Sequence, residues 1–214
     1  RLVYSSPNYN LNTKFINVLF EKENGVFPTI GDIFRKTKVL SGSASNNRNF
    51  TLLGDPALRL AYPQYDVETT VINDTLKALS EITIEGRIVD EIGLLSDFNG
   101  TLVVTVFDKE IIRTTLGQES CSPMPYRDQN NILYKGTASV INGEFSLSFI
   151  VPKDIAYHYA QGRISYYAIS NDSLVDAGGN DESFIIGGID NNIIDDYDGP
   201  EISLYMNTRS FIDG

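Results

Sequence analysis

The feature that most constrains the fold is an Asn142-Gly143 pair between two stretches with strand character. Residues 133–140 before it form a candidate strand. After it, Phe145, Leu147, Phe149 and Val151 alternate with Ser146, Ser148 and Ile150. Asn-Gly is the strongest short-range hairpin signal, because both residues accept the positive φ angles of a tight turn. We therefore predict a β-hairpin whose turn lies at Asn142-Gly143.

The same alternation recurs through residues 63–190. Between Glu81 and Ile88, isoleucines alternate with polar side chains, which is typical of a half-buried strand. Further predicted strands are residues 67–72, 101–107, 164–169, 184–186 and 202–205. Seven to nine strands with turn signals at this spacing predict a mainly β fold, an antiparallel β-sandwich of immunoglobulin-like type. The expected inward-facing residues are Ile82, Ile84, Phe145, Leu147, Phe149 and Val151.

Residues 1–62 show helical periodicity instead. Leu11, Phe15, Val18, Leu19 and Lys22 are spaced at three and four residues, which predicts a helix that starts at Asn10 or Asn12 and ends at Gly25. A second helix is predicted after Pro28, with Thr29 as its N-cap, Asp32 in its first turn and Ser41-Gly42-Ser43 at its end. Its expected buried face is Ile30, Ile33, Phe34 and Leu40.

Two short extended pieces, residues 50–53 and 58–60, complete this first part. Two helices and two short strands are too few to bury both apolar helix faces. We therefore predict that residues 1–62 are a short α/β segment severed from a larger domain. The absence of an initiator Met at residue 1 agrees with that expectation.

Charge supports a division of the chain. Residues 1–62 hold eight Lys or Arg and four Asp or Glu, whereas residues 63–214 hold nine and twenty-four. We place the boundary at Tyr62-Pro63, because proline restricts the residue before it to extended conformations. The predicted parts are residues 1–62, the sandwich at 63–190, and an acidic linker with the first strand of a following domain at 191–214.

The overall charge and hydropathy exclude two functional classes. The formal net charge of −11 argues against a binder of nucleic-acid backbone. No apolar stretch approaches the roughly 20 residues of a membrane-spanning helix.

The chain contains one cysteine, Cys121, and one histidine, His158. This composition excludes an intrachain disulfide framework and a multi-cysteine zinc site. A Cys-His nucleophile needs both side chains within hydrogen-bond reach, and the sequence does not place them together. We interpret Cys121 as an incidental thiol and His158 as a packed or solvated side chain. No residue is assigned a catalytic, cofactor-binding or metal-binding role, and no cofactor is expected.

Two other clusters each leave two interpretations open. The Asp-, Asn- and Gly-rich residues 171–182 contain oxygen ligands of the kind that calcium takes, but their spacing does not match an EF-hand, and we favour a solvated hairpin. Tyr157, Tyr159, Tyr166 and Tyr167 form either a binding face or half-buried strand packing, and we favour packing.

Three segments carry a family resemblance. They are RLVYS at residues 1–5 followed by a helix, NFTLLGDPALRL at 49–60 and DDYDGPEISLYMN at 195–207. The second resembles the closing strand and turn of the peptidase domain in gingipain-type cysteine peptidases. The third, preceded by a β-sandwich, is similar to the sortases of that family, which serve the type IX secretion system of Bacteroidetes.

The resemblance implies a parent protein with a caspase-like peptidase domain whose catalytic Cys and His lie upstream of the matched segments. This chain then holds the end of that domain, the immunoglobulin-like domain after it and the first strand of the next domain. The family removes C-terminal sorting signals from exported proteins and attaches these proteins to lipopolysaccharide, which implies the outer face of the outer membrane. The implied partners are the peptidase domain and neighbouring β domains in cis, together with proteins of the secretion system.

Two functions from different classes remain open. In the first, the chain is a noncatalytic fragment of a surface cysteine peptidase, in which the sandwich scaffolds or docks. In the second, it is a stand-alone β-sandwich for adhesion or carbohydrate binding. Residues 49–60 favour the first function, because a lectin-type module has no need of them.

Overall fold

The computed structural model describes residues 5–43, 47–118 and 120–190. The chain divides into two compact units, residues 1–64 and residues 65–214. The first unit is helical and the second is built from β-strands, so the predicted mainly β fold, preceded by a short N-terminal segment, is confirmed. The predicted strand at 202–205 and the acidic linker lie outside the described residues.

The first unit contains helices α1 (Ser5–Leu19) and α2 (Ile30–Leu40). The N-cap of α2 is the predicted one. Thr29 Oγ1 accepts a hydrogen bond from the Asp32 N–H at 3.2 Å and donates one to Asp32 Oδ2 at 2.8 Å. Ile33 is buried and Phe34 half-buried, whereas Leu40 is 50% exposed, because it lies in the last turn. Leu40 is therefore wrongly placed in the predicted buried face.

The predicted bounds of α1 are wrong at both ends. The helix starts at Ser5, so Asn10 and Asn12 lie inside it, and Pro7 occupies the first turn, where a missing N–H costs nothing. It ends at Leu19, and Gly25 (φ 78°) lies in a separate turn closed by hydrogen bonds between Glu23 and Val26.

Residues 50–53 and 58–60 are not strands. Instead, this stretch meets the start of α2, where the Ile30 and Gly31 N–H groups donate to Leu58 O (2.8 Å) and Pro56 O (2.9 Å). These contacts satisfy helix N–H groups that have no partner inside the helix. The segment predicted as α/β is helical in the residues described.

The second unit contains twelve strands among the described residues. They are β1 (Tyr65–Val71), β2 (Thr75–Ala78), β3 (Glu81–Val89), β4 (Gly100–Phe107), β5 (Ile111–Thr114), β6 (Pro125–Asp128), β7 (Ile132–Val140), β8 (Glu144–Ile150), β9 (Ala160–Gln161), β10 (Arg163–Ser170), β11 (Asp176–Asp181) and β12 (Ile185–Ile189). Seven of them form one sheet in the order β7-β4-β10-β11-β1-β3-β8, three form a sheet β2-β12-β9, and β5 and β6 pair with each other.

The prediction of an antiparallel sandwich is wrong for two pairs of strands. β1 pairs parallel with β11, with Tyr65 opposite Ala177, and β2 pairs parallel with β12. The alternation of side chains settles which face of a strand is buried, but not which neighbour or direction the strand takes.

The predicted turn forms, but the predicted pairing of its strands is wrong. Asn142 (φ 53°) and Gly143 (φ 79°) have the positive angles of a type I′ turn. Beyond the Ile141–Glu144 bridge, β7 pairs with β4 and β8 pairs with β3. The turn thus joins the two edges of the seven-stranded sheet, and the sheet folds over a common core.

That core is lined by the predicted residues, with one exception. Ile82, Ile84, Phe145, Phe149 and Val151 are buried, whereas Leu147 is half-buried at its margin. Both halves of the folded sheet supply side chains, since Phe145 of β8 contacts Tyr166 of β10 with ring centroids 5.8 Å apart.

Candidate functional site

The two residues considered for nucleophilic chemistry lie in separate exposed loops. Cys121 is in the β5–β6 connection and His158 precedes β9, and both are exposed. Within the described residues no hydrogen bond joins them. The structure thus gives no support to a Cys-His pair in this chain.

The acidic stretch 171–182 divides into a turn and a strand. Asp172 Oδ1 accepts hydrogen bonds from Ser170 Oγ (2.6 Å) and the Leu174 N–H (3.1 Å). These hydrogen bonds lower the pKa of the Asp172 carboxyl, and the bond from Ser170 has the larger effect. Asp176 and Asp181 lie in β11, where Asp181 accepts from the Ser183 N–H at 2.7 Å. Each of these carboxylates accepts a hydrogen bond from a nearby group, which for Asp176 is the Tyr167 hydroxyl at 3.2 Å. Within the described ranges no three His, Cys, Asp or Glu side chains group as metal ligands.

The four tyrosines do not form one face. Tyr166 is 3% exposed, while Tyr157, Tyr159 and Tyr167 are between 44% and 61% exposed. The Tyr166 hydroxyl hydrogen-bonds to Thr69 Oγ1 at 2.8 Å, and burial raises its pKa to about 12. The interpretation as strand packing therefore holds for Tyr166 and not for the other three tyrosines, which are exposed.

A prominent exposed feature of the second unit is the β5–β6 hairpin, which no sequence pattern had singled out. All four residues of β5 and three of the four in β6 are exposed. Its apolar side chains face solvent: Ile112 is 77%, Leu116 85% and Met124 67% exposed. The available signal was the β-branched pair Ile111-Ile112 ahead of a loop containing Gly117 and Pro123.

Ion pairs and loop hydrogen bonds order the hairpin. Arg113 pairs with Asp128 across the strands, and Arg127 Nη1 lies 3.1 Å from Glu110 Oε2. The Thr115 N–H donates to Met124 O at 2.9 Å, and the Met124 N–H donates to Thr115 Oγ1 at 2.9 Å. The hairpin therefore carries a set of exposed apolar side chains, which we call the hairpin surface: Ile112, Leu116, Met124 and Tyr126. Ile112 and Tyr126 lie on opposite faces of the ribbon, because Ile112 is opposite Arg127 and Tyr126 is opposite Arg113.

The first unit carries a second apolar surface, a groove of about 540 Å³. It lies between α1, α2 and the segment that follows them. Leu53 is 92% exposed at its rim, and Asn8 Oδ1 is buried there without a hydrogen-bond partner among the described residues. The groove is lined by Asn8, Leu11, Asn12, Phe15, Phe34, Thr37, Phe50, Thr51, Leu52 and Leu53.

In the described part of the chain, no helix has the length and apolar character needed to cross a membrane.

Residues 1–61 match the family model of peptidase family C25. The chain is also similar to a solved structure, the dimeric latent PorU from Porphyromonas gingivalis, at 29% identity with a TM-score of 0.56 over 82% of this chain. The predicted resemblance is confirmed. The match spans 18% of that PorU chain, so this chain corresponds to a small part of its relative.

Other solved structures are less similar. Spo0M, a sporulation control protein from Bacillus subtilis, has 11% identity and a TM-score of 0.35, over 58% of this chain and 49% of that one. A DUF4466 family protein from Parabacteroides merdae has 13% identity and a TM-score of 0.31, over 57% and 44%. At these TM-scores neither bears on the fold or function. No curated protein matches the sequence.

Proposed function

We propose that the chain is a noncatalytic part of a gingipain-type cysteine peptidase that resembles the type IX secretion sortase, the enzyme that processes C-terminal sorting signals. The observation that carries this proposal is the C25 match at residues 1–61, followed by a β unit, together with the similarity to PorU over 82% of this chain. In this proposal residues 1–62 end the peptidase domain, 63–190 form an immunoglobulin-like domain, and 191–214 lead into the next domain. The parent works at the cell surface, on the outer face of the outer membrane.

The immunoglobulin-like assignment is supported by the strand order. β3 and β8 pair on one side, β7, β4, β10 and β11 on the other, and β1 joins the two sides through its parallel pairing with β11. Immunoglobulin-like domains enclose a core between two such groups of strands.

In the parent, the rest of the peptidase domain covers the groove of the first unit. Two observations support this occupant. The groove lies within the C25 match and is mainly apolar, and Asn8 Oδ1 in it accepts no hydrogen bond from the described residues. A buried acceptor without a donor is costly, and a neighbouring part of the same fold supplies one.

Leu53 provides the test of this proposal. In the isolated chain Leu53→Ser changes the free energy of unfolding by less than about 0.5 kcal/mol, since the side chain is already solvated. In the parent the same change removes a buried leucine and costs about 1.5–3 kcal/mol. The matched control is Leu174→Ser, at a residue 75% exposed in the second unit, which is neutral in both proteins. Equal effects of Leu53→Ser in the two proteins would refute the covered groove. If, in addition, no peptidase domain were encoded upstream of residue 1, the proposal would be wrong and the chain would be a stand-alone binding module.

We further propose that the hairpin surface docks on a second copy of the parent. Exposed apolar residues grouped on one element are typical of an interaction site. The related PorU structure is described as a latent dimer, which supports a second copy as the occupant. Docking of the hairpin provides a role for the sandwich beyond scaffolding.

Charge placed in the hairpin surface tests this docking. Ile112→Asp with Leu116→Asp is expected to shift the monomer–dimer equilibrium of the parent to monomer in sedimentation velocity. Ile92→Asp serves as the control, because Ile92 is 96% exposed but lies in the loop between β3 and β4. A dimer unaffected by the hairpin variant, or a parent that never dimerises, would exclude the hairpin as the self-docking surface.

A further inference from the structure

The β5–β6 hairpin leaves the sandwich through two short links, residues 108–110 and 129–131, and Asp108 ties these links together. The Asp108 N–H donates to Asn131 O at 2.8 Å. In return, Asn131 Nδ2 donates to Asp108 Oδ2 at 3.1 Å and Gln129 Nε2 donates to Asp108 O at 2.9 Å. One residue of the outgoing link therefore makes three hydrogen bonds with the returning link.

A buried ion pair reinforces the same point. The side chains of Lys109 and Asp108 are 1% and 9% exposed, and Lys109 Nζ lies 2.8 Å from Asp108 Oδ1. Among the described residues Nζ has no other polar partner, so the contact with Asp108 is the one that compensates its burial there. Burying such a pair is costly, and the best-attested benefit of such pairs is that they specify one arrangement of the chain over others.

Arg163 of β10 holds the returning link from the sandwich side. Its guanidinium lies over the Phe107 ring, 4.6 Å from the centroid, and Nη2 donates to Gln129 O at 3.5 Å. Since β10 is a central strand of the seven-stranded sheet, this contact connects the base of the hairpin to the rigid part of the unit.

We infer that Asp108, Lys109, Gln129, Asn131 and Arg163 form a clamp that fixes the direction in which the hairpin leaves the sandwich. The hairpin needs such a device, because a two-stranded ribbon is at best marginally stable and its strand residues are exposed almost throughout. A held arm loses less conformational freedom on docking than a loose one. The inference rests on the proposed docking role of the hairpin surface, for which the clamp provides preorganisation.

Hydrogen exchange on the monomeric chain tests the clamp without any docking step. Gln129→Ala with Asn131→Ala removes two of the side-chain bonds and leaves the Asp108–Lys109 pair in place. Amides of β5 and β6 are expected to exchange about thirtyfold faster, the factor that corresponds to the loss of two ordinary hydrogen bonds. Amides of β3 and β10 keep their native rates. The matched control, Thr83→Ala with Ser148→Ala, removes an exposed side-chain bond of 2.9 Å between β3 and β8 and leaves the hairpin amides unchanged.

A pair of spin labels measures the direction of the hairpin relative to the sandwich. Labels at Tyr126→Cys on β6 and Leu174→Cys in the turn before β11, in a Cys121→Ser background, give a distance distribution that broadens in the Gln129→Ala/Asn131→Ala variant. Hairpin amides and label distances that both stay native would overturn the clamp, as would equal acceleration of the β3 and β10 amides. Because both readouts use the monomer, accelerated hairpin amides support the clamp even where the dimer test fails.

Discussion

Tyr134 on β7 stacks on Phe149 on β8, with ring centroids 4.5 Å apart and ring planes 19° from parallel. The two residues belong to opposite edges of the seven-stranded sheet. Their contact, together with the turn at Asn142-Gly143, joins these edges around the core. The aromatic pair therefore stabilises the folded-over form of the sheet as well as its local packing.

Phe149→Ala is expected to destabilise the second unit by about 3–5 kcal/mol, the usual cost of removing a buried aromatic ring. The adjacent Ile150 is 61% exposed, so Ile150→Ala is expected to stay within about 0.5 kcal/mol. Urea unfolding of both variants measures the difference. A small effect for Phe149→Ala would mean that β7 and β8 do not close over a shared core.

Alkaline pH is expected to weaken the fold through Tyr166. Burial raises the pKa of Tyr166 from its ordinary value of 10 to about 12, so the unfolded chain loses this proton first. Stability is unaffected below pH 10 and falls as pH rises from 10 to about 12, by up to about 2–3 kcal/mol.

Tyr166→Phe isolates this effect. The variant loses the hydrogen bond to Thr69 and is less stable than the native chain at pH 9, but it has no phenol to ionise. The stability difference between the two proteins should therefore narrow in urea unfolding at pH 11.5. A constant difference across this range would show that Tyr166 ionises as freely in the folded as in the unfolded chain.

Local chemistry made parts of both units predictable. Thr29 is an N-cap because its hydroxyl reaches the Asp32 N–H, and Asn142-Gly143 turns because both residues tolerate positive φ. The buried positions of β3 and β8 followed from alternation, since only one face of each strand meets the core.

Long-range features were beyond the sequence pattern. The parallel pairing of β1 with β11 depends on which edges meet in the folded sheet, and Leu147 is only half-buried because the strand approaches the margin of the core. The hairpin surface was missed because Ile111 and Ile112, consecutive and exposed, follow neither a helical nor an alternating pattern. The family resemblance came from the particular residues of three segments of the sequence. It did not come from the periodic spacing of apolar side chains.

The isolated chain is expected to show no peptidase activity. Cys121 and His158 lie in different exposed loops, and a thiol needs a nearby base to act as a nucleophile. Peptides with Arg, Lys or small residues at the cleavage site are the substrates to test, with Cys121→Ala as the control. Thiol-dependent turnover that this substitution abolishes would contradict the assignment.

The two units are expected to differ in their ability to fold alone. A chain that starts at Gln64 keeps the β core intact, because that core is drawn from residues 67–186, and it should melt cooperatively. Among the described residues of 1–62, the buried hydrophobic side chains are Leu11, Val18 and Ile33. Helices of 15 and 11 residues are marginal in water without packing. This peptide should be largely unfolded or aggregated. Circular dichroism and sedimentation of both pieces measure the contrast. A monomeric, cooperatively melting peptide of residues 1–62 would show that the groove needs no cover from a peptidase domain, and would favour a stand-alone binding module.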